Sequence, residues 1–136
     1  NGDSVNLCAR LEGANKQYGT YSLISEFTYQ AAKEFIEVRK LDIIRVVGRA
    51  TPINIYELLG KRGEIDDLLK KALPDYNQGL KSYQNREWTE AKRYFENALK
   101  IRPEDGPSKI YLKRCENFIL QPPAKDWDGV FNLSTK

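Results

Sequence analysis

Leu41-Asp42-Ile43-Ile44-Arg45-Val46-Val47-Gly48-Arg49-Ala50-Thr51-Pro52-Ile53-Asn54-Ile55-Tyr56-Glu57-Leu58 decides the fold class of this chain. Its β-branched and apolar residues, interrupted by Gly48 and Pro52, predict two strands joined by a turn. The strands are expected over Ile36–Val47 and Pro52–Leu59, with Gly48-Arg49-Ala50-Thr51-Pro52 as a hairpin-like connection. Along the second strand Ile53, Ile55 and Glu57 alternate with Asn54, Tyr56 and Leu58, so its faces do not divide cleanly into apolar and polar. Upstream, Tyr21-Ser22-Leu23-Ile24-Ser25 reads as a short strand, and Ser25 or Glu26 starts a helix over Phe27–Glu34. Tyr29, Ala32 and Phe35 are expected near its packed side. A further helix over Ser4–Asn15 completes an α+β half.

Beyond Gly60 the composition changes. Lys61-Arg62-Gly63-Glu64 is charged and opens a linker, taken to cover residues 61–70. The pattern that follows, over residues 71–120, is helical throughout. Helices are expected over Asp75–Gln84 and Thr89–Ile101 around the polar turn Asn85-Arg86-Glu87. Gly79, Ala91, Phe95, Ala98 and Pro103 resemble the spacing of a tetratricopeptide repeat, in which small residues let two antiparallel helices pack closely. Tyr83 and Trp88 read as core aromatics of that pair. Pro103 and Gly106 end the second helix, and Pro107 opens a third that runs to Leu120. Ile110, Leu112, Cys115, Phe118 and Ile119 are its expected apolar positions. The last stretch, residues 121–136, is an extended tail. Trp127, Val130 and Phe131 are costly to leave in water, so this tail is expected to dock, with an added strand as one form of docking.

Composition narrows the function. The chain has 136 residues, 40% hydrophobic and 30% charged, which describes a globular protein with a modest core. A formal charge of +3, with Lys and Arg interspersed among Asp and Glu, argues against nucleic acid as partner. The absence of His excludes a His-based triad, a His metal site and an imidazole switch from this segment. Cys8 and Cys115 fit no metal spacing and suggest a reducing compartment. No secretory signal opens the chain and it contains no Met, so a piece of a longer protein is expected.

Near the N-terminus, Gly2-Asp3-Ser4-Val5-Asn6-Leu7-Cys8-Ala9-Arg10-Leu11-Glu12 places an amide and a guanidinium four residues apart on a helix, hence on one face. Asp3 suits the N-cap. Val5, Cys8, Ala9 and Leu11 supply the buried side. Asn6 offers a donor and an acceptor, and Arg10 a fork of donors suited to phosphate.

The string resembles the signature of class III nucleotidyl cyclases, roughly G-D/N-x-V-N-x-A-A/S-R-L/M-E/D. The Leu41–Leu58 phrase resembles that family's closing V-K-G-K-x-x-P-V-x-V-Y-E-L. By this resemblance the first half, residues 1–60, is the C-terminal half of a ferredoxin-like cyclase domain, followed by an all-α tetratricopeptide-like extension. The resemblance implies that Asn6 orients the ribose and that Arg10 stabilises charge on the α-phosphate as the 3′-oxygen attacks. The family's triphosphate Lys falls on Val47 here. Arg49 and Arg45 flank it and are the weaker candidates for the triphosphate, Arg49 only if the turn redirects it. Two divalent cations, Mg or Mn, are implied for the intact parent. The aspartates that hold them belong earlier in the domain, so no metal ligand is assigned in this chain and no cation to the fragment alone.

The ending Pro122-Pro123-Ala124-Lys125-Asp126-Trp127-Asp128-Gly129-Val130-Phe131-Asn132-Leu133-Ser134-Thr135-Lys136 resembles bacterial cyclases that carry a CHASE-type sensor and transmembrane helices. The implied protein is a homodimer with shared active sites, acting on ATP or GTP from the cytoplasmic side of a bacterial inner membrane. Its helical tail is a candidate for a protein partner. The fragment alone is expected to be inactive. Against this stands a non-catalytic interaction module built on a degenerate cyclase half, a reading that Val47 favours.

Overall fold

The protein is described by a computed structural model over residues 22–46 and 51–133. The chain divides into two compact units. One takes the described residues up to Ile65 together with those from Asp128 onward, and the other takes Asp66–Trp127.

The first unit is mixed α/β. Strand β1 (Leu23–Ser25) leads into helix α1 (Glu26–Ala32), then β2 (Ile36–Val46), β3 (Ile53–Lys61) and, from the far end of the chain, β4 (Phe131–Leu133). Ser25 caps α1, its Oγ accepting from the Thr28 amide at 3.3 Å. Among the described residues the sheet order is β1-β3-β2-β4. β3 is antiparallel to both of its neighbours, and β4 lies parallel to β2.

Register explains which side chains share a face. Arg39 stands opposite Glu57, Asp42 opposite Ile55 and Ile44 opposite Ile53. Those six therefore line one face, while Lys40, Ile43, Asn54 and Tyr56 line the other. A bulge between Lys40 and Asp42 leaves Leu41 as the extra residue, and it is fully buried. Leu41, Ile44 and Ile55 form the apolar centre of this unit. Two expectations change here. β3 runs on to Lys61, so the expected linker begins inside a strand. Phe35, expected on the packed side of its helix, lies beyond the end of α1 and is 71% exposed. The helix stops at Ala32, and Phe35 falls in the turn that follows.

The second unit is all helical: α2 (Asp67–Gln84), α3 (Trp88–Ile101) and α4 (Gly106–Leu120). α2 starts at Asp67 rather than at Asp75. Asp66 supplies the cap, accepting from the Leu69 amide at 3.0 Å, and Pro74 sits inside the helix instead of ahead of it. Leu69, Ala72, Tyr76, Gly79 and Tyr83 recur at spacings of three and four and are buried. That stripe continues through the proline and holds the helix together across it. α3 buries Ala91, Phe95 and Ala98 on the same logic.

Close approach of α2 and α3 depends on Gly79. A Cβ there would meet two Phe95 ring atoms at 2.8 Å, nearer than real contacts allow. On α4 the buried residues are Pro107, Ser108, Tyr111 and Cys115. Tyr111 stacks on Phe95 with ring centroids 5.3 Å apart. Ile119, expected in the core, is 42% exposed, one step beyond the stripe that Tyr111, Cys115 and Phe118 define. Cys115 is buried, and burial pushes its thiol up to about 12, which marks it as inert packing.

The tail docks, as its aromatic content predicts. Trp127 packs edge-on to Tyr83 and Trp88 at 5.6 and 5.4 Å between centroids, and against Phe118 at 5.5 Å. Arg86 clasps the stretch before it, donating to the Pro123 and Ala124 carbonyls at 3.0 and 3.1 Å. Past Asp128 the chain joins the sheet, with Ile44 paired to Phe131 and Arg45 to Asn132.

Candidate functional site

Of the residues assigned to the nucleotide, Asn6, Arg10 and Arg49 lie outside the described residues. Arg45 lies within them, near the end of β2, on the strand that leads into positions 47–50. Its Nη2 donates to Asp128 Oδ2 at 3.0 Å, with the two side chains 34% and 52% exposed. The other Asp128 oxygen, Oδ1, accepts from the Val130 amide at 3.0 Å. These contacts, Arg45 first, hold the Asp128 carboxyl below its ordinary range. The candidate triphosphate arginine is thus engaged by a carboxylate from the C-terminal tail.

Two further polar groups occupy the sheet. On the inner face Arg39 Nε donates to Glu57 Oε1 at 2.7 Å, with side chains only 1% and 14% exposed. Asp42 is equally buried and accepts from the Ile43 amide at 2.8 Å. On the other face Glu26 gathers three donors: Gln30 at 2.6 Å, Tyr56 at 2.7 Å and Asn54 at 3.2 Å. The bond from Gln30 is the largest of the effects that keep the Glu26 carboxyl below its ordinary value. Burial, and then the bond to Glu26, push the Tyr56 phenol up to about 12. Tyr56 is therefore a donor and not a base. Its ring stacks on Tyr29 at 4.5 Å.

The sequence assigned no site role to Glu26, Arg39, Asp42, Glu57 or Tyr56. A signal existed for one of them, since Glu57 continues the Ile53-Ile55 alternation and so falls on a buried face where it needs a cation. The carboxylates of this face and of Glu26 are bound to donors, and among the described residues no group of three or more acidic or Cys side chains is placed to hold a metal ion.

In the helical unit a cavity of about 390 Å³ is lined by Asp66, Leu68, Arg102, Pro103 and Glu104. Arg102 binds Asp105 at 2.7 Å and approaches Asp66 at 3.9 Å, so it ties together the residues that cap α4 and α2. That makes it a structural clasp.

The fold places the chain among mixed α/β proteins with a helical extension. No protein-family profile matches the chain, and no solved structure matches it. Two characterised proteins do. The chain is 37% identical over 118 residues, 84% of its length, to "Adenylate cyclase, terminal-differentiation specific" of Dictyostelium discoideum. It is 42% identical over 59 residues, 43% of its length, to "Adenylate cyclase 1" of Rhizobium meliloti (strain 1021). The chain spans only 6% and 9% of the lengths of these relatives. It is thus related in sequence to proteins named adenylate cyclase, and the stretch shared with the first must reach beyond the sheet unit into the helices. Among the described residues no helix is long and apolar enough to cross a membrane.

Proposed function

We propose that this chain is the C-terminal part of a class III nucleotidyl cyclase that forms 3′,5′-cyclic AMP from ATP, with release of pyrophosphate, in intracellular signalling. Likeness along 84% of the chain to a protein named adenylate cyclase carries the reading. In it Asn6 orients the ribose. Arg10 meets the negative charge that builds on the α-phosphate oxygens as the 3′-oxygen attacks, where a fixed guanidinium is worth most. Arg49 and Arg45 are the weaker candidates for the triphosphate. Two divalent ions, held elsewhere in a longer protein, would supply Lewis-acid chemistry. The reading includes a homodimer with shared active sites, a cytoplasmic position in an inner-membrane protein with a CHASE-type sensor, and a tetratricopeptide-like role for α2 and α3. The Gly79–Phe95 contact supports that last element, because a small residue facing a ring is what such helix pairs need.

Val47 supports a second reading, a non-catalytic interaction module, because it removes the family's triphosphate cation. Activity separates the two. In the intact protein that carries this chain, Asn6→Ala and Arg10→Ala should each depress cyclic nucleotide formation, Arg10→Ala through kcat. A wild-type protein with no cyclase activity under Mg or Mn would favour the module.

A further inference from the structure

Residues 121–127 lie on the helical unit as a peptide lies on a receptor. They form neither helix nor strand, and of the seven only Pro123 and Trp127 are partly buried, while the other five are exposed. A segment that belonged to the core would bury far more of itself. Two kinds of contact hold it. Trp127 packs among Tyr83 of α2, Trp88 of α3 and Phe118 of α4, so all three helices receive one aromatic side chain. Arg86, in the turn between α2 and α3, donates from Nη2 to the Pro123 carbonyl at 3.0 Å and from Nη1 to the Ala124 carbonyl at 3.1 Å. Pro122 and Pro123 have no N–H, so the stretch offers acceptors without donors, which is what a guanidinium needs.

The receiving surface is supported from beneath. Its aromatic rings contact one another, Tyr83 with Trp88 at 5.4 Å and Trp88 with Phe118 at 4.7 Å between centroids. Tyr83 also belongs to the buried core of the helices. The Arg86 amide donates to the Tyr83 carbonyl at 3.0 Å, and Arg86 takes φ 64, a left-handed conformation unfavourable for an L-residue. The turn therefore holds the guanidinium in place, where it also lies over the Trp127 ring at 5.7 Å.

We propose that this surface of the helical unit is a peptide-binding site, and that the partner it fits is a protein segment with an exposed Pro-Pro pair followed four residues later by Trp. Residues 121–127 are its resident ligand, and a partner segment binds by replacing them. Arg86 reads main-chain carbonyls and is indifferent to side chains, so selectivity comes from the prolines and the tryptophan. Aromatic surfaces recognise proline-rich segments in this general way. A ligand within the same chain competes at an effective concentration on the order of millimolar, which keeps the site closed to weak partners. The proposal gives a chemistry to the protein partner expected of the helical tail, and it holds whether or not the protein makes cyclic AMP.

The probe is a fluorescein-labelled peptide with the sequence of residues 121–127, followed by anisotropy on the intact protein. In Trp127→Ala the resident ligand loses its anchor, so this variant should bind the peptide about tenfold or more tightly than the wild type does. Adding Arg86→Ala should weaken that binding about tenfold, the scale of a lost charge-assisted hydrogen bond. A peptide that itself carries Trp127→Ala should not bind. In the wild type, excess unlabelled peptide should speed hydrogen exchange at the Trp127 amide, which donates to the Ala124 carbonyl at 3.0 Å in the docked tail. Should Trp127→Ala fail to fold, this wild-type exchange decides alone, and an unchanged rate would overturn the proposal. Equal affinity of the wild type and Trp127→Ala, or binding that survives Arg86→Ala undiminished, would place the peptide elsewhere and overturn it too.

Discussion

At the residue scale, Glu26 shows how one carboxylate organises a sheet face. It sits in the first turn of α1, where the helix dipole favours an anion, and collects Gln30, Tyr56 and Asn54. Its carboxyl lies below the ordinary value of 4.5, so its contribution to stability is present above that value and fades as pH falls through the lowered one. Tyr56 works in the opposite direction. Raised from 10.0 to about 12, it contributes fully below pH 10.0, and that contribution is lost as pH rises through about 12. Glu26→Gln should bring the Tyr56 phenol down, though not to 10.0, because burial is the larger cause and remains. NMR titration of ring-labelled tyrosine checks this; an unmoved phenol would contradict it. The polar residues were the least legible part of the sheet. Neither Glu26 nor Arg39 announces its partner, because Glu26 meets Asn54 and Tyr56, and Arg39 meets Glu57, across gaps in sequence that only strand register closes.

At the element scale, the helices are held by spacing more than by propensity. The Gly79–Phe95 contact makes a sharp test. Gly79→Ala gains about 0.5–1 kcal/mol of helix propensity but drives a methyl into a fully buried ring, an overpacking cost of about 1–3 kcal/mol. Urea denaturation should show net destabilisation, and Phe95→Leu should relieve part of it in the double variant. Additive losses would mean that the two side chains do not compete for the same space. Arg86 gives a second test. It adopts φ 64, a left-handed conformation unfavourable for an L-residue, and its guanidinium clasps the tail. Arg86→Gly removes the backbone strain together with the clasp. It should leave the helices stable while trypsin cuts faster at exposed Lys125. Slower or unchanged cleavage would assign Arg86 no part in anchoring the tail.

Legibility at this scale followed local chemistry. Strand β2, the turn at Asn85–Glu87 and the ends of α3 and α4 stood in the sequence as β-branched runs, Pro and Gly. The start of α2 did not, because Pro74 looks like a breaker while the true signal is Asp66 three residues before Leu69. The parallel pairing of β4 with β2 was also hidden, since Trp127, Val130 and Phe131 say that a tail must dock but not which strand receives it.

At the scale of the whole molecule, a mixed α/β unit and an all-helical unit share one chain that is related in sequence to proteins named adenylate cyclase. The described sheet is a support. Its ion pair ties β2 to β3, and its tyrosine–glutamate contact ties α1 to β3. In the proposed function the chemistry rests on Asn6 and Arg10, and Arg10 carries the larger share because charge changes there during the reaction. The most direct measurement is the steady-state rate of cyclic AMP formation by the intact protein and its Arg10→Ala variant. The expected result is a fall in kcat on the order of 10²–10³-fold, the cost of removing one preorganised donor to a developing oxyanion, with little change in KM. A variant that keeps the wild-type kcat would contradict it.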